Sequence, residues 1–408
     1  MRLLIRLLLP LVPWVMLLIA VWRKITGAEP PDALAQRFGQ VPAPTGPTIW
    51  LHGASNGELA SARWVVEALL AERPTLSILV TCNTLTARTM VQGWQIPRVT
   101  TAFAPLEMAG PLSRLLTAWR PMALITVEGE IYPNRFAACA KARVPVALIG
   151  ARMSERSFRG WMELRAVMAK ALSVVALASA QDDASAQRLQ KLGLPTQVMH
   201  DLCDLKAVAI SLLPPPDLPP RDTRATCLLA ASTHEGEEEI VLDAFADQSQ
   251  FTHLILAPRH PRRADAVAAL VQGRGFGLGR RSTGDMPGQQ PVYLADTMGE
   301  MDLWYTRAGA CLVGGSFANR GGHTPWEPAR FACAILHGPS VQNFAGPYAA
   351  LNIAGGALDV QSPGELATAL DSLDTARQQA LTFAAAQILR VTGDGAALIH
   401  VILTLSEV

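Results

Sequence analysis

The chain has 408 residues, 50% of them hydrophobic and 17% charged, with 35 Lys+Arg against 34 Asp+Glu. This length suggests two or three domains with real cores, and so apolar a composition excludes wholesale disorder. The near-neutral balance excludes the basic excess of a nucleic-acid binder, and no later apolar run is expected to reach the roughly 20 residues of a membrane span.

The first apolar run is Leu7 to Trp22, preceded by Arg2 and Arg6 and followed by Arg23-Lys24. At about 1.5 Å per residue it makes a helix of roughly 24 Å. Trp14 and Trp22 suit a membrane interface, and no small-residue cleavage site follows. We expect an uncleaved anchor helix over residues 1–24, short-spanning or lying in one leaflet; a buried core helix is the competing reading. The six cysteines (Cys82, Cys139, Cys203, Cys227, Cys311, Cys333) are scattered without a C-x-x-C pair. That is the pattern of buried thiols, not of a zinc site or a disulfide framework.

After the anchor, short apolar runs alternate with helical patterns. Thr48–Ser55, Leu76–Asn83, Met122–Glu128, Val144–Gly150 and Val174–Ala180 read as strands; Glu58–Leu70, Leu112–Trp119 and Asp183–Leu192 read as helices. Continuous apolar strands separated by helices predict a parallel sheet covered on both faces. The proline-dense stretch Leu212 to Pro220 reads as a semi-rigid linker. The alternation then restarts, with strands at Ala225–Ser232, His253–Ala257, Val292–Leu294, Ala310–Gly314 and Ala334–His337, and helices at Glu235–Ala246 and Arg262–Val271. The last helical stretch, Ala376 to Leu405, is expected to pack back across the first half. The expected architecture is α/β: Rossmann-like parallel-sheet domains over 25–212 and 223–408, joined by a linker at 213–222 and facing a cleft.

Ligands of such sheets bind where strands run into helices, and the chemistry-bearing residues fall at these junctions. In His52-Gly53-Ala54-Ser55-Asn56-Gly57-Glu58, Glu58 opens a helix. It reads either as a first-turn acid that complements the helix dipole or as a general base on a rigid element. Glu128-Gly129-Glu130-Ile131-Tyr132-Pro133-Asn134 ends another strand with two carboxylates on one face; loop anchoring and catalysis stand at even weight. Arg152 to Trp161 carries Arg152, Arg156 and Arg159 with Phe158 and Trp161. This suits an anionic amphiphile, although a solvated basic helix has the same composition.

In the second half, Ser232-Thr233-His234-Glu235 precedes an acidic helix start, which is first capping chemistry and second a phosphate site. Pro258-Arg259-His260 is a basic strand end suited to a nucleotide phosphate, and Asp296-Thr297-Met298-Gly299-Glu300 and Gly314-Gly315-Ser316 are small-residue turns. Gly321-Gly322-His323-Thr324-Pro325-Trp326-Glu327 leads into a helix, with Glu327 placed to accept from ribose hydroxyls. No G-x-x-x-x-G-K-[ST], G-x-G-x-x-G after the first strand, G-x-S-x-G or H-E-x-x-H occurs. Neither a metal nor a cofactor is expected, and the pattern points to a transferase using a nucleotide-activated donor.

These motifs together resemble the bacterial 3-deoxy-D-manno-octulosonic acid (Kdo) transferases of lipopolysaccharide assembly, glycosyltransferases of the two-Rossmann GT-B type. The similarity runs from the anchor to about Phe344 and includes Gly338-Pro339 and Asn343-Phe344. The resemblance implies a CMP-Kdo donor, a lipid A precursor acceptor and a membrane lipid surface, with the catalytic domains on the cytoplasmic side of the inner membrane and no nucleic acid. It implies Glu58 as general base, Glu128 and Lys206 in transition-state stabilisation, and CMP contacts from Pro258, Arg259, Met298, Gly299, Glu300, Thr324, Pro325, Trp326 and Glu327. The acceptor is expected at His52, Ser55, Arg152 and Arg156. Against the family pattern, Thr324 replaces an Asn, Tyr132 a Trp and Gly129 a Thr, and Asp204 stands in a Gly-Asn/Ser-Leu-Lys-like motif. Another GT-B transferase with a different sugar and lipid, or a silent nucleotide-sugar-binding scaffold, are the alternatives.

Overall fold

The computed structural model describes residues 12–405, so Arg2, Arg6 and the first part of the expected anchor lie outside the described residues. The chain forms two compact units: the residues up to Ala209 with those from Gly393 onward, and Ile210–Thr392.

The first unit holds strands β1 (Thr48–His52), β2 (Ser77–Cys82), β3 (Val99–Phe103), β4 (Leu124–Val127), β5 (Val146–Ala151) and β6 (Val175–Ala180). They form one sheet in the order β3-β2-β1-β4-β5-β6, every pairing parallel. Strand side chains alternate between two covered faces. Ile49, Leu51, Ile78, Val80, Ile125 and Ile149 pack against Leu59, Val65, Val66 and Leu69 of the helix Asn56–Glu72. Trp50, Leu79, Leu124 and Leu148 pack on the other face against Leu112, Leu115, Phe136 and Met168.

The second unit holds β7 (Cys227–Thr233), β8 (His253–Pro258), β9 (Leu278–Arg280), β10 (Val292–Leu294), β11 (Ala310–Val313), β12 (Ala334–His337) and β13 (Ala357–Asp359). Their order is β13-β12-β11-β7-β8-β10-β9, again all parallel. The α/β parallel-sheet class read from the sequence is therefore the class observed. Strands β3, β9 and β13 were not expected, and all are edge strands that bury little: the first three residues of β3 are only half-buried.

The Ala376 to Leu405 stretch is two helices, Thr375–Thr392 and Ala396–Leu405, broken at Gly393-Asp394-Gly395. Thr375–Leu405 is long and apolar enough in composition to cross a membrane, contrary to expectation for a run after the first. Yet Leu381 joins the core of the second unit, while Leu398, Ile399 and Ile402 join that of the first. Near the N-terminus, the helix Val12–Ile25 exposes Trp14, Val15, Leu18, Ile19, Trp22 and Ile25, a continuous apolar stripe at helical spacing.

Ile402 is fully buried against the first sheet's helix layer. Ile402→Ala is expected to destabilise the first unit by about 2–5 kcal/mol, measured as a lowered midpoint in urea unfolding followed by circular dichroism.

Candidate functional site

Each sheet reverses its strand order once: between β1 and β4 in the first, and between β7 and β11 in the second. The carboxyl ends of strands flanking such a reversal leave a crevice that no crossover covers. At each crevice a non-glycine residue is held at positive φ: Glu128 just past β4 (φ 54°) and Ser232 in β7 (φ 56°). This conformation is costly for an L-residue and is retained where surrounding structure enforces it.

At the first crevice, Ser55 caps the helix Asn56–Glu72: its hydroxyl accepts from the Glu58 amide at 3.4 Å and donates to Glu58 Oε1 at 3.0 Å. The Ala54 amide donates to Glu58 Oε2 at 2.6 Å. Ser55-x-x-Glu58 is thus a variant of the capping box, with the carboxylate reaching the amide one residue before the cap, and the cap fixes the carboxylate's position. Burial first, then the charges of Glu130 and Glu128, raise its pKa to about 7 against the two hydrogen bonds.

The neighbouring carboxylates have different partners. Lys206 Nζ lies 2.9 Å from Glu128 Oε1. Gly150, at φ 55° in β5, leaves room for the adjacent Leu205, whose Cγ a Cβ there would meet at 2.7 Å. Burial opposes ionisation of Glu130, but His52, the Tyr132 hydroxyl and Arg135 outweigh it and hold its carboxyl below the usual value. The Tyr132 hydroxyl donates to Glu130 Oε2 and accepts from Asn83 Nδ2 at 3.1 Å. Arg135 sits 4.2 Å over the Tyr132 ring while paired with Glu107 at 2.8 Å. Glu130, Tyr132 and Asn83 were not among the expected site residues; the Glu-x-Glu spacing was the signal for the first.

The acceptor residues expected from the sequence divide. His52 is wholly buried, so the expected direct contact with acceptor is corrected. Its Nδ1 lies 2.9 Å from Thr81 Oγ1 and its Nε2 3.5 Å from Glu130 Oε2, and burial followed by Arg135 lowers its pKa to about 4. A neutral ring therefore backs the carboxylate. Ser55 is the cap just described. Arg152 sits beside Glu128, its amide donating to the Glu128 carbonyl at 3.3 Å, whereas Arg156 lies exposed on the next helix, Glu155–Met162. Phe158 and Trp161 pack against the first unit's core, and Arg159 is engaged by Glu155 at 2.9 Å. The aromatic surface expected for an amphiphile is thus occupied by the protein itself.

At the second crevice, Ser232 and Thr233 end β7 rather than capping a helix; the N-cap is Gly236 in the left-handed region, without a side-chain cap. Glu237, 1% exposed, accepts from the amides of His234, Gly315, Phe317 and Ala318, tying the loop after β7 to the loop after β11. The expected Ser/Thr capping of this helix start is replaced by that tether. Glu238 accepts from Thr233 and Arg263 at 2.7 Å each.

Of the expected donor residues, Arg259 is exposed past β8, its amide donating to the Thr233 carbonyl at 3.0 Å. Met298 is exposed, Gly299 adopts φ 82°, and Glu300 accepts from Arg281 at 2.6 Å and from Thr297. Hydrogen bonds from Arg281 and Thr297 hold the Glu300 pKa at about 2. Thr324 Oγ1 accepts from the Trp326 amide at 3.4 Å, and Glu327 accepts from the Tyr305 hydroxyl at 3.1 Å. Pro325 and Trp326, both expected as CMP contacts, are buried, with the Trp326 ring beneath the surface.

Residues 32–209 match the family described as 3-Deoxy-D-manno-octulosonic-acid transferase (kdotransferase). A 3-deoxy-D-manno-octulosonic acid transferase of Haemophilus influenzae is 31% identical over 81% of this chain and 81% of its own length. The Bordetella pertussis enzyme of that name is 33% identical over 86% of each. The chain belongs to the Kdo transferase family. It is accordingly a glycosyltransferase. HepE of Anabaena, solved with UDP, shares its fold with a TM-score of 0.61 at 14% identity, covering 89% of this chain and all of that one; this likeness bears on the GT-B-type fold alone.

The Glu237 tether is the connection on which the Kdo transferase's second crevice hangs. Glu237→Gln leaves buried amides without a full acceptor and is expected to cost roughly 1–3 kcal/mol, measured as a lowered midpoint of unfolding.

Proposed function

We propose that the enzyme moves Kdo from CMP-Kdo to a sugar hydroxyl of a lipid A precursor, with inversion and with Glu58 as the base. The observation that carries this reading is the Glu58 carboxylate, fixed by its capping box and poised near pH 7. A base whose pKa matches the working pH combines a useful deprotonated fraction with useful basicity. Glu58 takes the proton of the attacking hydroxyl as its oxygen bonds to the donor's anomeric carbon, and the bond from that carbon to the CMP phosphate oxygen breaks. Glu128 faces the positive charge that develops on the sugar. Lys206 takes the transition-state role that the resemblance implies, and Arg259 meets the negative charge of the departing phosphate, a role the reading gives to side chains rather than to a metal.

The exposed stripe of the helix Val12–Ile25, with Arg23 and Lys24 in its last turn, supports attachment to a lipid surface; the family reading puts the catalytic units on the cytoplasmic side. Trp14→Glu combined with Trp22→Glu is expected to lower partitioning onto phosphatidylglycerol-containing vesicles by about tenfold or more, measured by co-sedimentation. Undiminished sedimentation overturns this placement.

The test of the reaction is mass spectrometry of products from CMP-Kdo and a tetra-acylated lipid A precursor. A mass gain of Kdo units is expected, and no gain with folded protein overturns the reading. Glu58→Gln is expected to lower the rate about 10²–10⁴-fold; a rate that survives the change removes Glu58 as base. Because the base acts deprotonated, the parent rate is expected to rise with pH through about 7 and then level. Stability runs the other way. The folded protein holds the Glu58 proton more tightly than the unfolded chain does, so its contribution to stability falls as pH rises from 4.5 to about 7. Glu58→Gln should therefore melt at a higher temperature than the parent at alkaline pH, and at nearly the same temperature in acid.

A further inference from the structure

The strand-order reversal of the second sheet brings together two histidines from the loops after β7 and β11. His234 Nε2 and His323 Nε2 lie 3.1 Å apart, with ring planes 3° from parallel and centroids 5.3 Å apart. At that distance one nitrogen donates and the other accepts, because two N–H groups or two lone pairs repel. The pair therefore has one proton position between its facing nitrogens, and a second proton goes to an outward-facing Nδ1, where a nearby negative charge favours it. His260, from the loop after β8, meets His234 edge-on, with centroids 6.0 Å apart.

The charged groups around the pair favour an anion. His234 faces Glu237 and Glu238 on the helix behind it and Arg320 and His260 on the other side. Glu237 is taken up by four backbone amides, and Glu238 by Thr233 and Arg263. His323 faces His234, Arg259 and His260, with no carboxylate among its charged neighbours. Burial first, then those neighbours, lowers the His323 pKa to about 4, and burial also lowers that of His234. The empty pair is thus neutral at physiological pH, and a dianion placed against it raises its affinity for a proton.

We propose that the His234–His323 pair is a proton-coupled clamp for the phosphate of the donor's nucleotide: binding of a phosphomonoester dianion draws one proton from solvent into the pair. The inference rests on the CMP-sugar reading of the second unit and adds how the charge of the departing CMP is met. As the donor's phosphodiester becomes the dianion of CMP, the protonated pair supplies the matching positive charge. No covalent bond to the histidines is involved.

Calorimetric titration of the full chain with CMP, at about pH 7.5 in buffers of differing ionisation enthalpy, reads the proton directly. About one proton taken up per CMP bound is expected, with none for cytidine, which lacks the phosphate. His323→Asn and His234→Asn are each expected to abolish the uptake and weaken CMP roughly tenfold while leaving cytidine binding in place. CMP binding without uptake by the parent protein overturns the clamp and leaves the donor reading standing, as does uptake that survives both substitutions. Failure of CMP and cytidine alike to bind folded protein overturns the donor reading and the clamp with it.

Discussion

Three carboxylates meet at one crevice of the first sheet, and only two of them have a basic or locking partner. Glu128 has Lys206 at 2.9 Å, and Glu130 has the Tyr132 hydroxyl with His52 and Arg135 close by. Glu58 has only neutral donors, the Ala54 amide and the Ser55 hydroxyl. Like charges gathered in a half-buried place cannot all ionise freely, so the group with the weakest compensation keeps its proton longest. Burial starts the shift on Glu58 and the two neighbouring anions complete it. Glu130, equally well placed along the chain, is a poor base because its partners have already stabilised its ionised form. The division of labour between the carboxylates is thus set by what stands behind each one.

What stands behind them is the sheet. The strand order turns at β1 and β4, so the loops carrying Glu58 and Glu128 leave adjacent strands and their helices diverge. The second unit repeats the arrangement with different chemistry: β7 and β11 adjoin at the turn of order, and their loops carry imidazoles rather than carboxylates. Each crevice also strains one non-glycine residue, Glu128 in the first and Ser232 in the second. The same topology thus builds an acid-rich edge in the first unit and an imidazole-bearing edge in the second.

Much of this is legible in the residues. Continuous apolar runs disclose central strands such as β1, β2 and β5, because burial on both faces leaves no room for polar residues. The edge strands β3, β9 and β13 are hidden, since an edge asks for less apolar surface and two of them span three residues. Glu58 is found by its position after a strand, yet its capping box is equally visible and neither reading excludes the other. The partners that decide its proton affinity come from residues 70 and 72 positions away, at Glu128 and Glu130. Spacing along the chain carries no trace of that approach. His52 and Trp326 mislead in the opposite direction: both stand within functional motifs, yet both are fully buried, so each supports the site from beneath. A motif records which residues are needed near a site without distinguishing those that touch the ligand from those that hold up the ones that do.

Tyr132 shows how a departure from the family pattern can be absorbed. The resemblance places a Trp at this position, and an indole N–H only donates, whereas a phenol hydroxyl donates and accepts. Here the hydroxyl does both, donating to Glu130 and accepting from Asn83 at the carboxyl end of β2. The exchange therefore extends the chain of hydrogen bonds from the loop after β4 to the end of β2, two strands away, with Arg135 packed over the ring. Each of these contacts favours the anion of Glu130 or fixes the group that does. Since that anion is the largest charge acting on Glu58, a change at residue 132 is felt two carboxylates away, as a change in the basicity of a group it does not touch.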